Sequence, residues 1–210
     1  MSEYHKIQTL FKRDMDSPRK SLIEGAWTHP EFEYPADNVW TFTEKVDGTN
    51  IRVMVESSGA VSFGGRTDAA QIPAQLVARL NSLFIPLGPV LAETFKEGAV
   101  LYGEGYGAKI QKSGGNYRAD QDFVLFDVRV GNWWLQRPDV EGVATTLGLD
   151  VVPVIGSGTL HDAVAWAKRG IKSTWGDFEA EGIVARPRVE LQTRGGHRVI
   201  TKIKCRDFRA

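Results

Sequence analysis

The chain has 210 residues, 42% hydrophobic and 25% charged, with 26 basic side chains balanced by 26 acidic ones; that length accommodates one globular domain with a real core, and the neutral balance gives no global case for a polyanion partner. A single cysteine, Cys205, excludes an internal disulfide, and the four histidines (His5, His29, His161, His197) make no zinc-ligand spacing. No stretch is expected to reach the ~20 apolar residues of a membrane span, and the start MSEYHKIQ has neither an apolar region nor a transit pattern, so a cytoplasmic chain is expected.

In chain order, the first forty residues, Tyr4-His5-Lys6-Ile7 among them, read as an opening strand and loop. Strands follow at Trp40–Thr43, Asn50–Glu56 and Ala60–Phe63, which are β-branched and aromatic runs, the last two joined by the turn Ser57-Ser58-Gly59. Leu76, Leu80, Leu83 and Phe84 form the stripe of a helix. Further strands are predicted at Ala99–Glu104, Phe123–Val130 and Trp133–Gln136, with Arg129-Val130-Gly131-Asn132 as a hairpin turn. Val140, Val143, Ala144 and Leu147 mark a second helix, opened at Pro138 and stopped at Gly148. Val151–Ile155 reads as a strand. A third helix carries Leu160, Ala163, Val164 and Ala167 between the capping pair Thr159 and Asp162 and the stop Gly170. Strands at Gly182–Arg186 and Val199–Lys204 follow. Without repeats or long linkers, the expectation is one α+β domain over residues 1–210, mainly antiparallel sheets with a few outer helices and no separate C-terminal domain.

The run Glu44-Lys45-Val46-Asp47-Gly48-Thr49-Asn50 sets a lysine and a carboxylate at the end of one strand and a glycine before the next. A lysine attacks only when neutral, and burial or neighbouring cations depress its pKa; a strand-end loop in a cleft supplies both. Taken alone, KxDG also occurs as a salt-bridged turn. From Arg186 onward, eight Lys/Arg stand against Glu190 and Asp207. Such a basic excess suits a polyphosphate or a nucleic-acid backbone, or forms a solvated face.

Six pieces follow one another in order: Lys45; Arg66 in Gly64-Gly65-Arg66-Thr67; Glu104 in Leu101-Tyr102-Gly103-Glu104-Gly105-Tyr106-Gly107; Phe126 in Phe123-Val124-Leu125-Phe126-Asp127-Val128; Glu181 in Glu181-Gly182-Ile183-Val184; and Lys202-Ile203-Lys204. Over residues 44–204 this set resembles the motifs of the covalent nucleotidyltransferase superfamily of DNA ligases, RNA ligases and mRNA capping enzymes. Within it the chain is most similar to the ATP-dependent type 2 RNA ligases of phages. Asn50 carries that choice, because DNA ligases and capping enzymes resemble KxDGxR. Arg52 has the wrong spacing to replace the missing arginine and is expected in solvent or paired with a neighbour. Arg186 stands where a lysine usually ends its motif.

The resemblance implies the ligase and capping-enzyme fold, ATP-grasp-like, with sheets flanking a nucleotide cleft. It implies that Lys45 attacks the α-phosphorus of ATP, releases pyrophosphate and becomes lysyl-AMP, which serves to join 3′-hydroxyl and 5′-phosphate ends. Lys202 and Lys204, alternate residues of one strand, face the same way and are placed on the α-phosphate, where their charge also lowers the pKa of Lys45. Glu181 is placed near Mg2+ or Mn2+. By the same resemblance Phe126 stacks adenine, Glu104 accepts a hydrogen bond from a ribose hydroxyl and Glu44 contributes to the adenine pocket, by its side chain or through its backbone. Arg66 meets the 5′-phosphate, and Asp47 and Asn50 position polynucleotide ends, with Asn50 and Arg66 also bordering the nucleotide. The implied partner is RNA, as a nicked duplex, a single strand, a broken tRNA loop or an RNA/DNA hybrid, with no membrane partner and protein partners unknown. A minimal DNA ligase or guanylyltransferase on the same scaffold, and a non-catalytic nucleic-acid-binding module, stay open as other readings.

Overall fold

The computed structural model describes residues 3–18 and 20–209. In chain order the strands β1 (Gln8–Thr9), β2 (Phe11–Arg13) and β3 (Leu22–Trp27) precede a short helix α1 (Pro30–Glu33) and β4 (Trp40–Glu44). Next come β5 (Thr49–Val55), β6 (Val61–Gly64), α2 (Ala74–Phe84), α3 (Gly88–Thr94), β7 (Ala99–Gly107), β8 (Gln121–Val130), β9 (Trp133–Trp134) and α4 (Arg137–Leu147). The last elements are β10 (Val154–Gly158), α5 (Leu160–Arg169), β11 (Gly182–Pro187) and β12 (Thr201–Lys204). They gather into two compact units, each interrupted in sequence: a stub ending at His5 with Asp47–Val152, and Lys6–Val46 with the chain from Pro153.

The first unit is an antiparallel sheet in the order β6-β5-β7-β8-β9. Strand alternation sends Ile51, Val53, Val55 and Leu101 to one face, where Leu76, Leu80 and Phe84 of α2 and Val140, Ala144 and Leu147 of α4 close the core. Each of the valine, leucine, isoleucine and phenylalanine side chains among these contributes about 1.5–3 kcal/mol when fully buried. Asn50 and Arg52, opposite Glu104 and Tyr102 in the β5–β7 register, therefore lie on the other face. A bulge at Tyr102-Gly103 makes Phe126 the inserted residue of β8, its ring edge-on to Tyr4 at 5.1 Å between centroids.

The second unit is a sheet in the order β1-β12-β11-β4-β10, antiparallel except for β1 on β12. Trp40, Phe42, Ile183, Ala185 and Ile203 pack against Leu160, Ala163, Val164 and Ala167 of α5. Thr43, Val184 and Lys202 form one cross-strand row, so Lys202 and Lys204 belong to the face away from that helix. The capping box closes as read, the Thr159 side chain accepting from the Asp162 N–H and Asp162 accepting from the Thr159 N–H at 2.8 Å.

Several boundaries differ from the sequence reading. β10 starts at Val154 because Val151 makes a parallel bridge to Leu125 in the first unit and Pro153 has no N–H to donate. The β2–β3 hairpin, α1 and α3 are additional elements. The expectation of no long apolar stretch is corrected: Ala74–Thr94, running through α2, a 3-10 turn and α3, is long and apolar enough to cross a membrane, at a mean hydropathy of 1.2. Leu76, Leu80, Phe84 and Leu91 of this segment are fully buried against the sheet and belong to the core, and the residues between them are not buried.

Candidate active site

In the second unit, pairing continues one residue past β4: the Lys45 N–H donates to the Gly182 carbonyl at 2.9 Å, which fixes Lys45 beside the start of β11. From there its ammonium reaches Glu181 Oε2 at 2.6 Å, and Lys204 reaches Oε1 of the same carboxylate at 2.5 Å. The three side chains are only 10–21% exposed. Burial would raise the Glu181 carboxyl, but the two lysines more than offset it and hold it below its ordinary value. Lys202, two residues before Lys204 on the same face, has no carboxylate partner among the described residues. Burial, then the charges of Lys204 and Lys45, bring its ammonium down to about 8. Two ammonium groups thus share one carboxylate, with a third beside them, in partly dehydrated surroundings, and the deficit of negative charge favours an anion.

Glu44 turns its carboxylate elsewhere in that unit. Its side chain, almost completely buried, accepts from the Ser173 hydroxyl at 2.6 Å and from the Thr174 N–H and hydroxyl at 2.9 and 2.8 Å. Its carboxylate is therefore occupied in holding the 173–174 turn.

In the first unit the remaining predicted residues divide into two places. Asp47 and Gly48 lie on the loop entering β5, where a Cβ on Gly48 would overlap the Gly105 carbonyl oxygen and come within 2.8 Å of Glu104 Cγ, so only glycine lets this loop pass so close to Glu104. Asn50 stands directly across from Glu104. Its Oδ1 is buried with no hydrogen-bond partner among the described residues, an arrangement that costs free energy unless something else supplies the bond. Phe126 belongs to the same sheet and, through Tyr4, to the aromatic group that includes Tyr102. Arg66 sits apart on the turn after β6, exposed and without an ion pair among the described residues.

Arg52 resolves the alternative left by the sequence: it pairs with a neighbour. Its guanidinium, 1% exposed, donates to the Gly65 carbonyl and to Asp68, both at 2.7 Å, bracketing the turn that presents Arg66. The hydrogen bond from Arg52 and then its charge hold the Asp68 carboxyl below its usual range. Sequence reasoning also missed Gln111, Ser113 and Tyr117. Ser113 donates to Asp47 Oδ2 at 2.5 Å, the Asp47 N–H donates to the Tyr117 hydroxyl at 3.2 Å, and Gln111 donates to the Gly48 carbonyl at 3.0 Å. The signal available was the glycine pair Gly114-Gly115 between two strands, which marks a tight loop and not what it touches.

The RNA ligase family profile matches residues 38–204, most of the chain and every one of the residues just described except Tyr4. The chain belongs to the RNA ligase family. Among solved structures, this RNA ligase-family chain is similar to the RNA ligase of Naegleria gruberi. A variant with ATP and Mn gives a TM-score of 0.68 at 17% identity over 97% of this chain and 56% of that one. A second variant with ATP and Mn gives 0.65 at 18% identity over 83% and 51%, and the Naegleria ligase with PPi gives 0.64 at 20% over 83% and 52%. At such identities the likeness shows the RNA ligase nucleotidyltransferase fold. The chain spans about half the length of the Naegleria ligase. No curated protein gives a significant match.

Proposed function

We propose that the chain is an ATP-dependent RNA ligase acting through lysyl-AMP at Lys45. The observation that carries this is the meeting of Lys45 and Lys204 on Glu181, two largely buried ammonium groups in contact with one carboxylate, with Lys202 beside them and uncompensated. An α-phosphate satisfies that deficit, and its developing charge in the transition state satisfies it further. The Lys45 nitrogen gives up its ammonium proton to solvent and forms the bond to phosphorus, losing a second proton to solvent as the phosphoramidate forms, while the bond to the bridging oxygen breaks and pyrophosphate leaves with the electron pair. Glu104, Phe126, Asn50 and Arg66 take the roles the family resemblance gives them, with the buried Oδ1 of Asn50 supporting a bound group at that position.

A divalent cation fits as a substrate-borne ion. Among the described residues no three His, Cys, Asp or Glu side chains gather to cage a metal. Glu181, whose oxygens each retain acceptor capacity beside a lysine, supplies the one carboxylate that a largely hydrated Mg2+ or Mn2+ needs. Such an ion supplies charge neutralisation at the phosphates.

Intact-mass measurement after incubation with ATP and Mg2+ is expected to show one added AMP, mapped by peptide analysis to Lys45. An unmodified protein, or modification by GTP alone, rejects this reading.

RNA as the partner is supported by how the C-terminal cations sort, while a phage-derived or RNA-repair setting in the cytoplasm rests on the family resemblance alone. Glu190 is neutralised by Arg198, Asp207 by Arg13, and Arg209 turns to Glu179. Arg188 and Arg194 remain exposed on the hairpin between β11 and β12, without carboxylate partners among the described residues. Replacing both by alanine is expected to lower the salt dependence of binding to a 5′-phosphorylated RNA strand by about 1.4 in the logarithmic slope, since each single-strand phosphate contact is worth ~0.7. Self-adenylylation should be unaffected. An unchanged slope, measured by fluorescence anisotropy between low and moderate salt, removes the hairpin from the RNA contact.

A further inference from the structure

The turn that follows β6 is pinned from inside its own sheet. Arg52, in the middle of β5, stands directly across from Gly64. A Cβ on Gly64 would come within 2.9 Å of Arg52 Nη2 and 3.3 Å of its Cζ, so glycine leaves the guanidinium room to lie over the neighbouring strand. From there Nε donates to the Gly65 carbonyl and Nη2 to Asp68, both at 2.7 Å, one on either side of Arg66. The Ala70 N–H on the Thr67 carbonyl at 3.1 Å and the Asp68 N–H on Glu3 Oε1 at 3.3 Å close the turn further. Every one of these residues belongs to the first unit.

Such a brace is a poor source of stability. Replacing a buried ion pair by a well-packed apolar side chain is often neutral or stabilising. Here Arg52 is 1% exposed against 81% for the Asp68 side chain, and Arg52 Nη1 lies buried with no hydrogen-bond partner among the described residues, which costs free energy. What the guanidinium does supply is a flat fork of fixed geometry, which sets two points of a turn at once. Arg66, between those points, is exposed and has no ion pair among the described residues. We infer that Arg52, with Asp68, is a positioning residue for Arg66, holding the turn so that the Arg66 guanidinium is ready for the 5′-phosphate of an RNA strand. The inference rests on the role of Arg66 in the proposed function. Ordering one long side chain at binding costs about twofold to tenfold in affinity, a loss that a prearranged turn reduces. Charge alone predicts the opposite effect for Asp68: it is an exposed carboxylate two residues from Arg66, and its removal should strengthen the binding of any RNA strand.

Fluorescence anisotropy with two RNA strands of one sequence, 5′-phosphorylated and 5′-hydroxyl, tests this, with folding checked by circular dichroism. Arg66→Ala is expected to lose about thirtyfold in preference for the phosphorylated strand, the scale of one charge-assisted hydrogen bond. Asp68→Ala is expected to lose about fivefold of that preference, and so is Arg52→Lys, which keeps the charge but not the fork. Asp68 is largely exposed, so its variant decides the matter even where Arg52→Lys fails to fold. In the Arg66→Ala background, Asp68→Ala is expected to change the preference by less than about twofold, because it acts through Arg66. A preference kept or raised in Asp68→Ala overturns the inference, as does a fivefold loss that persists without Arg66. Arg66→Ala separates the two levels: if it keeps the full preference, the proposed role of Arg66 fails and the inference with it. A loss there beside wild-type behaviour in Asp68→Ala and Arg52→Lys rejects only the brace.

Discussion

Glu181→Gln is expected to slow lysyl-AMP formation about a hundredfold while leaving ATP affinity no weaker than wild type. The carboxylate holds the Lys45 and Lys204 ammonium groups at 2.6 and 2.5 Å. Its own carboxyl is pushed up by burial and pulled down further by those lysines, ending below its ordinary value. Such an acid is a poor acceptor for a proton, so its contribution is to aim the amine and balance charge rather than to act as general base. Glutamine keeps the shape and one acceptor but loses the charge, so Lys45 is left without its aiming contact and three cations stand together. ATP phosphates relieve that crowding, which is why binding survives when the chemical step does not. The unliganded fold should lose about 2–3 kcal/mol, less than the ~3–5 kcal/mol for breaking a fully buried pair, because the side chains retain 10–21% exposure. In the wild type this contribution is complete above the ordinary pH 4.5 of such a carboxyl and is lost as pH falls through its depressed value. Single-turnover kinetics and urea unfolding check both effects. A wild-type rate in Glu181→Gln removes this carboxylate from the chemistry.

The residues at the core of that argument were legible because their chemistry is carried by local patterns. A β-branched run ending in Glu44-Lys45 and an alternating Lys202-Ile203-Lys204 place their side chains by strand period alone, and β4, β11 and β12 sit where those patterns put them. The capping box at Thr159 and the left-handed stop at Gly148 were readable for the same reason: both act within one helical turn. What the sequence concealed depends on partners distant in the chain. β1 is two residues long and exists because Gln8 and Thr9 pair with Thr201 and Lys202, a contact no local window contains. α3 opens on Gly88-Pro89, which reads as a turn until Leu91 is seen buried in the core. Arg52 looked surplus by motif spacing, yet Gly65 and Asp68 convert it into the brace of the Arg66 turn. Glu44 stands next to Lys45 in sequence, yet strand alternation sends its carboxylate the opposite way, onto Ser173 and Thr174, a contact no local pattern shows.

Nucleotide affinity and fold stability should move in opposite directions above pH 8, and Lys202 is the reason. Its ammonium is depressed from 10.5 to about 8 by burial first and by Lys204 and Lys45 second. Between those two values the unfolded chain binds the proton that the folded chain has released. By linkage, this residue's contribution to stability therefore rises as pH climbs from about 8 to 10.5. An anion needs the charge, so binding follows the reverse course. Affinity for an ATP analogue with a methylene bridge between the α- and β-phosphorus, which cannot transfer AMP, is expected to fall as pH rises through about 8. Lys202→Ala should lose about a hundredfold at pH 7, the scale of one charge-assisted hydrogen bond of about 1.5–3 kcal/mol. Lys202→Arg keeps its charge throughout this range, so calorimetric titration should show the alkaline fall flattened between pH 8 and 9. Should the arginine variant follow the wild-type curve, the titrating group lies elsewhere and Lys202 does not hold the nucleotide's phosphate.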